Sequence, residues 1–160
     1  IAINDYQKRR FCQKIVEKMF NTVTGKKICL LGFAFKKDTG DTRESAAIYV
    51  SKRLMDEGAQ VAIYDPQVSD KQIFFDLEHP SISPKPERVR QLVTTYREAY
   101  EACEGAHALV ICTEWDEFKT YDWTKIFDIM KKPAFIFDGR NILSKEEMSQ
   151  IGFEYSSIGK

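Results

Sequence analysis

The sequence predicts an α/β fold, a doubly wound and mostly parallel six-stranded sheet with helices on both faces. Two observations support this prediction. Short apolar runs alternate along the chain with segments of helical periodicity. The runs end in glycine or in Asp-Pro and Asp-Gly pairs, which are typical of strand ends. A chain of 160 residues has the length of one such domain.

The first part of the chain predicts an entry helix followed by a strand–helix–strand unit. The entry helix is amphipathic, with Phe11, Ile15 and Met19 on one face. Gly58 is at the position of a C-terminal cap for the helix predicted over 44–57. The right-handed crossover of such a unit makes its two strands parallel. The predicted elements are a helix over 3–20, a strand over 27–32, a helix over 44–57 and a strand over 61–64.

The rest of the chain predicts four more strands, again alternating with helices. Residues 66–90 carry four prolines around one apolar island, which predicts a short helix followed by an irregular surface excursion. The predicted strands lie at 92–94, 108–112, 134–137 and 153–158, and the predicted helices at 98–104, 123–131 and 144–150.

The charge balance limits the possible partners. Lys plus Arg is 24 and Asp plus Glu is 24, so the formal net charge is zero. Such a chain has no global field that would hold nucleic acid or an anionic membrane, and its apolar runs are too short to span a bilayer. We therefore expect neither partner, and any anion site must be local.

The cysteines and histidines predict structural roles. Cysteine occurs four times without a C-x-x-C pair, which is typical of a reducing compartment and of buried thiols. His79 precedes a proline in a loop, and His107 lies between a helix and a strand. We therefore expect neither a metal site nor a catalytic residue in this chain.

Polar clusters follow three of the predicted strands. The segment 32–45 after the first strand carries two lysines and Arg43 ahead of a helix. Residues 113–115, Thr-Glu-Trp, follow the fourth strand, and residues 138–140, Asp-Gly-Arg, end the fifth. Ligands of open α/β sheets bind at the carboxyl ends of the strands, where the strand order reverses. Backbone amides, a helix N-terminus and cationic side chains of these clusters are therefore candidates to bind a phosphate.

The same residues allow other interpretations. Gly32 and Gly40 lie too far apart for the G-x-G-x-x-G turn of a dinucleotide site, and no Gly-Lys-Ser/Thr closes a P-loop. Asp65 stands where a ribose-binding acid would lie, but Asp-Pro is also an ordinary turn at the end of a strand. Arg43 and Arg140 are equally suited to salt bridges with Asp38, Asp41 or Asp138.

Four segments resemble the C-terminal UDP-binding domain of the UDP-glucose 6-dehydrogenase family. They are GFAFKKDTGDTRES at 32–45, IYDP at 63–66, CTEW at 112–115 and FIFDGR at 135–140. The resemblance covers nearly the whole chain. Related UDP-N-acetylmannosamine and GDP-mannose dehydrogenases usually carry an Asp-Asp pair where this chain has Gly40-Asp41.

This resemblance implies a Rossmann-like UDP-binding domain at 23–160, with residues 1–22 as the end of a central linking helix. It implies that Phe35, Lys36 and Arg140 contact UDP-glucose. It also implies that Arg43 reaches an NAD cofactor held mainly by another domain. A chain without an initiator Met, starting within a helix, fits a piece of such a longer protein.

The family reaction implied by the resemblance oxidises UDP-glucose to UDP-glucuronate with two NAD⁺, through a cysteine thioester. The catalytic cysteine belongs to the other domain, so we expect this chain alone to be inactive. The resemblance also implies a homo-oligomer, dimer or hexamer, in the cytoplasm. Two alternatives remain: a domain of another nucleotide-sugar dehydrogenase, or a non-catalytic interaction module with the same fold.

Overall fold

A computed structural model describes residues 5–19 and 22–157 of the chain. Its strands are β1 (Lys27–Leu31), β2 (Gln60–Tyr64), β3 (Val93–Tyr96), β4 (Ala108–Ile111), β5 (Phe135–Asp138) and β6 (Glu154–Ser157). Its α-helices are α1 (Asp5–Lys18), α2 (Ala46–Asp56), α3 (Asp70–Glu78), α4 (Pro86–Leu92), α5 (Ala99–Cys103), α6 (Trp123–Ile129) and α7 (Lys145–Ile151). A 3₁₀ helix covers Asp116–Thr120. The predicted ends of the first helix at residues 3, 4 and 20 lie outside the described residues.

The strands form one sheet in the order β3-β2-β1-β4-β5-β6, and every neighbouring pair is parallel. The predicted doubly wound fold is thus confirmed. In register, Leu31 of β1 lies between Tyr64 of β2 and Ile111 of β4. The strand order reverses between β1 and β4, so the crevice typical of ligand sites opens where these two strands end.

The core explains why these residues form strands. All four residues of β4 are fully buried, as expected for a central parallel strand covered by helices on both faces.

Four of the helices begin after a residue whose side chain caps them. Ser45, Ser69, Asp122 and Ser144 each accept a hydrogen bond from a backbone amide of the helix that follows.

Helix α1 packs into the same core as the sheet. Phe11, Cys12, Ile15 and Met19 are all at most 4% exposed. A Cβ atom placed on Gly139, just after β5, would come within 3.2 Å of the Phe11 ring, so helix and sheet approach closely there. The chain's own residues therefore supply a continuous hydrophobic core that includes α1. Within the described residues, no helix has the length and apolar character to cross a membrane.

Two short helices were not predicted. The prediction of an irregular excursion after α3 is wrong in part, because α4 follows it with Pro86 in the first turn. Proline is tolerated there, since the first-turn amide has no helical partner. Val89 is fully buried and anchors this helix. Both α4 and the 3₁₀ helix after Trp115 have too few turns to show a helical periodicity in the sequence.

Candidate functional site

The loops after β1 and β4 contact each other at the carboxyl edge of the sheet. The Thr113 hydroxyl, just after β4, donates a hydrogen bond of 2.8 Å to the carbonyl of Ala34. Gly32 adopts φ +99°, and a Cβ at this position would lie 2.4 Å from the Thr113 Oγ1 atom. Only glycine fits such a conformation and such a close contact. The two loops that flank the strand-order reversal are therefore held together by direct contact.

Asp65, at the end of β2, fixes the start of the β1–α2 loop. Its carboxylate is 8% exposed and accepts five hydrogen bonds of 2.6–3.1 Å. The donors are the backbone amides of Phe33, Ala34, Gln67 and Val68 and the indole of Trp115. With these donors around both oxygens, Asp65 forms the turn that the Asp-Pro pair predicted, and its carboxylate is not free for a ribose.

The backbone amides of this loop are largely engaged inside the protein. Besides those bound to Asp65, the Phe35 amide donates to the Asp41 carbonyl at 2.7 Å, and the Lys37 amide donates to the Glu114 carboxylate at 2.9 Å. The expectation that the loop presents its amides to a phosphate is therefore wrong for these four residues. Its cationic side chains are therefore the stronger candidates to bind an anion.

Glu114 connects all three predicted clusters. One carboxylate oxygen accepts the Lys37 amide of the first loop, and the other binds the Arg140 guanidinium after β5. The Arg140 side chain is only 10% exposed and that of Glu114 28%. Burial opposes ionisation of Glu114, but hydrogen bonds from its own amide, from Arg140 and from Lys37 outweigh it and lower the pKa of Glu114.

Asp138 shapes the loop that carries Arg140. It is fully buried at the end of β5. One oxygen accepts the Arg140 backbone amide at 3.0 Å. The other accepts the Tyr155 hydroxyl and the backbone amides of Ile142 and Leu143, at 2.7–2.9 Å. The salt bridge considered between Arg140 and an aspartate is therefore not formed; the guanidinium turns to Glu114, a partner that the sequence analysis did not identify.

Phe35 and Lys36 lie in the first loop beside this ion pair. Phe35 is half-buried and Lys36 is exposed. Within the described residues, the Lys36 ammonium has no hydrogen bond or ion pair, whereas its neighbour Lys37 lies 3.5 Å from the carboxylate of Asp116. Lys36 thus offers a positive charge without an ion-pair partner among the described residues. It directly precedes Lys37, whose backbone amide binds Glu114.

Arg43 forms its ion pair within its own loop. Its guanidinium is 88% exposed and contacts the Asp41 carboxylate at 2.7 Å. Hydrogen bonds from the side chain and the backbone amide of Arg43 lower the pKa of Asp41 to about 2. The sequence analysis considered this salt bridge for Arg43, and it is present. Arg43 stays accessible to a ligand that approaches from solvent.

The backbone is strained in both loops that carry the candidate cations. Asp38, Glu44 and Asn141 are the non-glycine residues with positive φ among those described, at 65°, 59° and 57°. Two lie in the β1–α2 loop and the third directly follows Arg140. Each such residue costs on the order of 1–2 kcal/mol, and strain of this kind clusters at functional sites.

The sequence analysis did not identify a further carboxylate near this edge, that of Glu117. Glu117 accepts hydrogen bonds from the hydroxyls of Tyr64, at 2.7 Å, and Tyr121, at 2.5 Å. These bonds hold the 3₁₀ helix over the end of β2, and Trp115 precedes that helix. Burial and the nearby carboxylate raise the pKa of both tyrosines. The partners lie 53 residues apart in one case, and no local pattern signals such a pair.

Within the described residues, neither the cysteines nor His107 have the exposure or the partners of a catalytic group. All four thiols are buried, and burial raises the pKa of Cys12 to about 12. His107 lies at the amino end of β4, the edge opposite the loops described above. Burial and the nearby Lys26 and Lys131 lower its pKa. Across 5–19 and 22–157, no cluster of His, Cys, Asp and Glu is arranged to hold a metal ion.

Comparison with protein families matches residues 29–145 to the UDP-binding domain of the UDP-glucose/GDP-mannose dehydrogenase family. Over its whole length the chain is 59% identical to UDP-glucose 6-dehydrogenase of Bos taurus and 56% identical to that of Drosophila melanogaster. It spans 33% and 34% of those proteins, about a third of their length.

Solved structures show the same fold. A UDP-D-ManNAc dehydrogenase from Pyrococcus horikoshii superimposes with a TM-score of 0.69 at 28% identity, covering 95% of this chain and 30% of that one. A UDP-glucose dehydrogenase from Pyrobaculum islandicum gives a TM-score of 0.70 at 21% identity, covering 97% and 30%. The latter similarity concerns the fold alone.

Proposed function

The chain belongs to the UDP-glucose/GDP-mannose dehydrogenase family as its UDP-binding domain, and we propose that it supplies the UDP-sugar contacts of a UDP-glucose 6-dehydrogenase. The parent enzyme oxidises UDP-glucose to UDP-glucuronate with NAD. The chemical step belongs to the rest of that enzyme, because the four thiols of this chain are buried. The parent is a cytoplasmic homo-oligomer.

The observation that carries the proposal is the link through Glu114. It joins the loops after β1, β4 and β5 at the point where the strand order reverses. Ligands of doubly wound sheets bind at this point. It fixes the guanidinium of Arg140 and also the backbone next to Lys36, the second candidate cation.

These two side chains suit a diphosphate sugar. The Arg140 guanidinium is planar, so it can make paired hydrogen bonds to a phosphate or carboxylate group. Its position is fixed by Glu114, and an incoming phosphate competes with that carboxylate for it. Lys36 supplies a point charge that adjusts to phosphate or sugar oxygens. Phe35 offers a half-buried aromatic surface to the apolar face of the ligand.

The fit of an NAD cofactor to this chain is partial. The β1–α2 loop lacks the glycine turn of a dinucleotide site, and its amides at 33–35 and 37 are engaged internally. Arg43 does fit as a contact to a cofactor held elsewhere, because its guanidinium is exposed and can exchange Asp41 for a phosphate. When bound, NAD accepts hydride from the sugar alcohol. This chain's part is to orient the UDP moiety and to neutralise phosphate charge.

The test is titration calorimetry of the chain with UDP-glucose. We expect weak binding by the unaltered chain and a loss of affinity of about ten- to hundredfold in Arg140→Ala, equivalent to about 1.5–3 kcal/mol for one charged hydrogen bond. Arg140→Lys keeps the charge without the planar group and should lose less. Arg88→Ala, which removes an exposed arginine on α4, is the control and should bind as the unaltered chain does.

Unchanged affinity in Arg140→Ala would overturn the role of that residue. Binding of GDP-mannose in preference to UDP-glucose would identify a domain of another nucleotide-sugar dehydrogenase. If neither sugar nucleotide bound, a non-catalytic interaction module would be the better explanation. Thermal unfolding of each variant verifies that a lost affinity does not reflect a lost fold.

A further inference from the structure

A buried carboxylate, that of Asp138, holds the loop that carries Arg140. Asp138 is fully buried, and within the described residues no cation pairs with it, because the Arg140 guanidinium binds Glu114. A buried carboxylate without a cation depends on hydrogen-bond donors around it. The backbone amides of residues 140, 142 and 143 supply three, at 2.9–3.0 Å. The fourth donor is the Tyr155 hydroxyl, at 2.7 Å, and it comes from outside the loop.

The register of the sheet brings Tyr155 to this carboxylate. Tyr155 of β6 lies opposite Ile136 of β5. Ile136 and Asp138 are two residues apart on the same strand, so their side chains point to the same face of the sheet. The tyrosine side chain shares that face, and its hydroxyl reaches from the edge strand to the end of β5.

The Tyr155 hydroxyl has one hydrogen and two acceptors within reach. The carbonyl of Leu143, at the far end of the loop, lies 3.1 Å away. The Asp138 carboxylate is closer and charged, so it is the stronger acceptor. Burial raises the pKa of Tyr155, and the hydrogen bond to Asp138 raises it further. Tyr155 therefore keeps its hydrogen at neutral pH and donates it to Asp138.

The backbone on both sides of Arg140 is constrained. Asn141 has φ 57°, in the left-handed region. Gly139 is packed so closely that a Cβ atom there would lie 2.8 Å from the carbonyl oxygen of Ile111. Strained residues keep their conformation only where the surrounding contacts hold them. The direction of the Arg140 side chain therefore depends on the hydrogen bonds of Asp138.

We propose that Tyr155 is a positioning residue for Arg140. Its hydroxyl orients the Asp138 carboxylate, which holds the loop at 139–143 and so directs the Arg140 guanidinium towards Glu114 and the ligand. This role rests on the proposed function, in which Arg140 contacts the UDP-sugar. Tyr155 acts on the ligand only through Asp138 and Arg140.

Tyr155→Phe tests this role, because it removes the hydroxyl and keeps the ring. We expect its affinity for UDP-glucose, from titration calorimetry, to fall roughly three- to tenfold, less than in Arg140→Ala, since the guanidinium is displaced but not lost. In Tyr155→Phe/Arg140→Ala the affinity should equal that of Arg140→Ala alone. A general loss of structure would instead add to the effect of Arg140→Ala.

A second measurement follows Arg140 directly and needs no ligand. In the ¹⁵N-labelled chain, the Nε–H resonance of Arg140, assigned by its disappearance in Arg140→Ala, should move in Tyr155→Phe. The backbone amide of residue 142 should exchange faster with solvent. The matched control is Tyr100→Phe, which removes a hydroxyl on α5 that accepts the Asp122 amide at 2.6 Å. It should change neither the affinity nor the Arg140 resonance.

An Arg140 resonance that stays in place in Tyr155→Phe, or losses of affinity that add in the double variant, would overturn the proposal. An equal loss in Tyr100→Phe would do the same. If Arg140→Ala weakens binding and Tyr155→Phe does not, the proposed function stands and only the role of Tyr155 fails. If the resonance moves but UDP-glucose binds no form of the chain, the positioning of Arg140 is supported and the proposed function fails.

Discussion

Glu114 binds the Arg140 guanidinium with one carboxylate oxygen and the Lys37 backbone amide with the other. One side chain from the loop after β4 therefore fixes both neighbouring loops. Because the lowered pKa of Glu114 depends on these partners, the stability of the folded chain should depend on pH through this residue.

Glu114→Gln tests this dependence. Glutamine keeps an oxygen for the Lys37 amide but removes the charge that Arg140 needs, so we expect a loss of about 1 kcal/mol at pH 7 for this partly exposed pair. A carboxyl whose pKa is lowered by folding stabilises the fold above its unfolded pKa, near 4.5, and this contribution is lost as pH falls through the folded pKa. Urea unfolding of both chains from pH 7 to pH 3 should therefore show the difference shrinking below pH 4.5.

A matched variant separates this effect from the general effect of losing a carboxylate. Glu154→Gln removes an exposed glutamate at the start of β6, whose side chain forms no ion pair within the described residues. Its free energy of unfolding should follow the unaltered chain at every pH. A difference for Glu114→Gln that stayed constant from pH 7 to pH 3 would contradict a role for its charge.

Asp65 is the residue whose loss should cost the most stability at this edge. Asp65→Asn replaces one acceptor oxygen by an amide group that faces N–H donors, so two or more of its five hydrogen bonds are lost in a buried position. We expect a decrease of about 2–4 kcal/mol in the free energy of unfolding, from urea titration. Asp128→Asn, at an exposed position of α6, should change it little.

The succession of strands and helices along the chain was readable from the sequence because it depends on local signals. Apolar runs bounded by glycine or Asp-Pro mark β1 and β2, and ligands of this fold bind where such strands end. The Arg43–Asp41 pair was also foreseeable, since the two residues are only two positions apart. Strand ends were correct to within about two residues, because fraying and capping decide the last residue.

The contacts that organise the site could not be read in the same way. Glu114 meets Lys37 across 77 residues, and Asp65 meets the β1–α2 loop across 31 and 32. Hydrogen bonds at such separations depend on how the strands pair, which no window of sequence contains. The same limit explains why the loop amides were expected to be free for a phosphate.

Arg43 should be dispensable for folding. Its side chain is exposed and contacts only a neighbour in the same loop, and exposed pairs of this kind contribute little. We expect Arg43→Ala to leave the temperature of unfolding and the affinity of this chain for UDP-glucose unchanged. In the parent enzyme it should raise KM for NAD. A large loss of UDP-glucose affinity in the isolated chain would instead place Arg43 in the sugar-nucleotide site.

Gly32→Ala should break the contact between the loops after β1 and β4. The new methyl group would lie 2.4 Å from Thr113 Oγ1 and 2.8 Å from the Thr113 backbone nitrogen, in a backbone with φ +99°. Gly105→Ala separates the two causes, because Gly105 also has a positive φ, +73°, but no atom lies within 4 Å of its added Cβ.

For Gly105→Ala we expect only the conformational cost of alanine at positive φ, about 1 kcal/mol. Gly32→Ala should cost clearly more in urea unfolding and should also abolish UDP-glucose binding, since the loop that carries Lys36 moves. Removing the hydroxyl in Gly32→Ala/Thr113→Ala should restore only part of the stability, because the Cβ and the backbone nitrogen of residue 113 stay in place, 2.5 Å and 2.8 Å from the added methyl group. Equal losses for the two glycine variants would show that backbone conformation, and not the close approach of the two loops, makes Gly32 necessary.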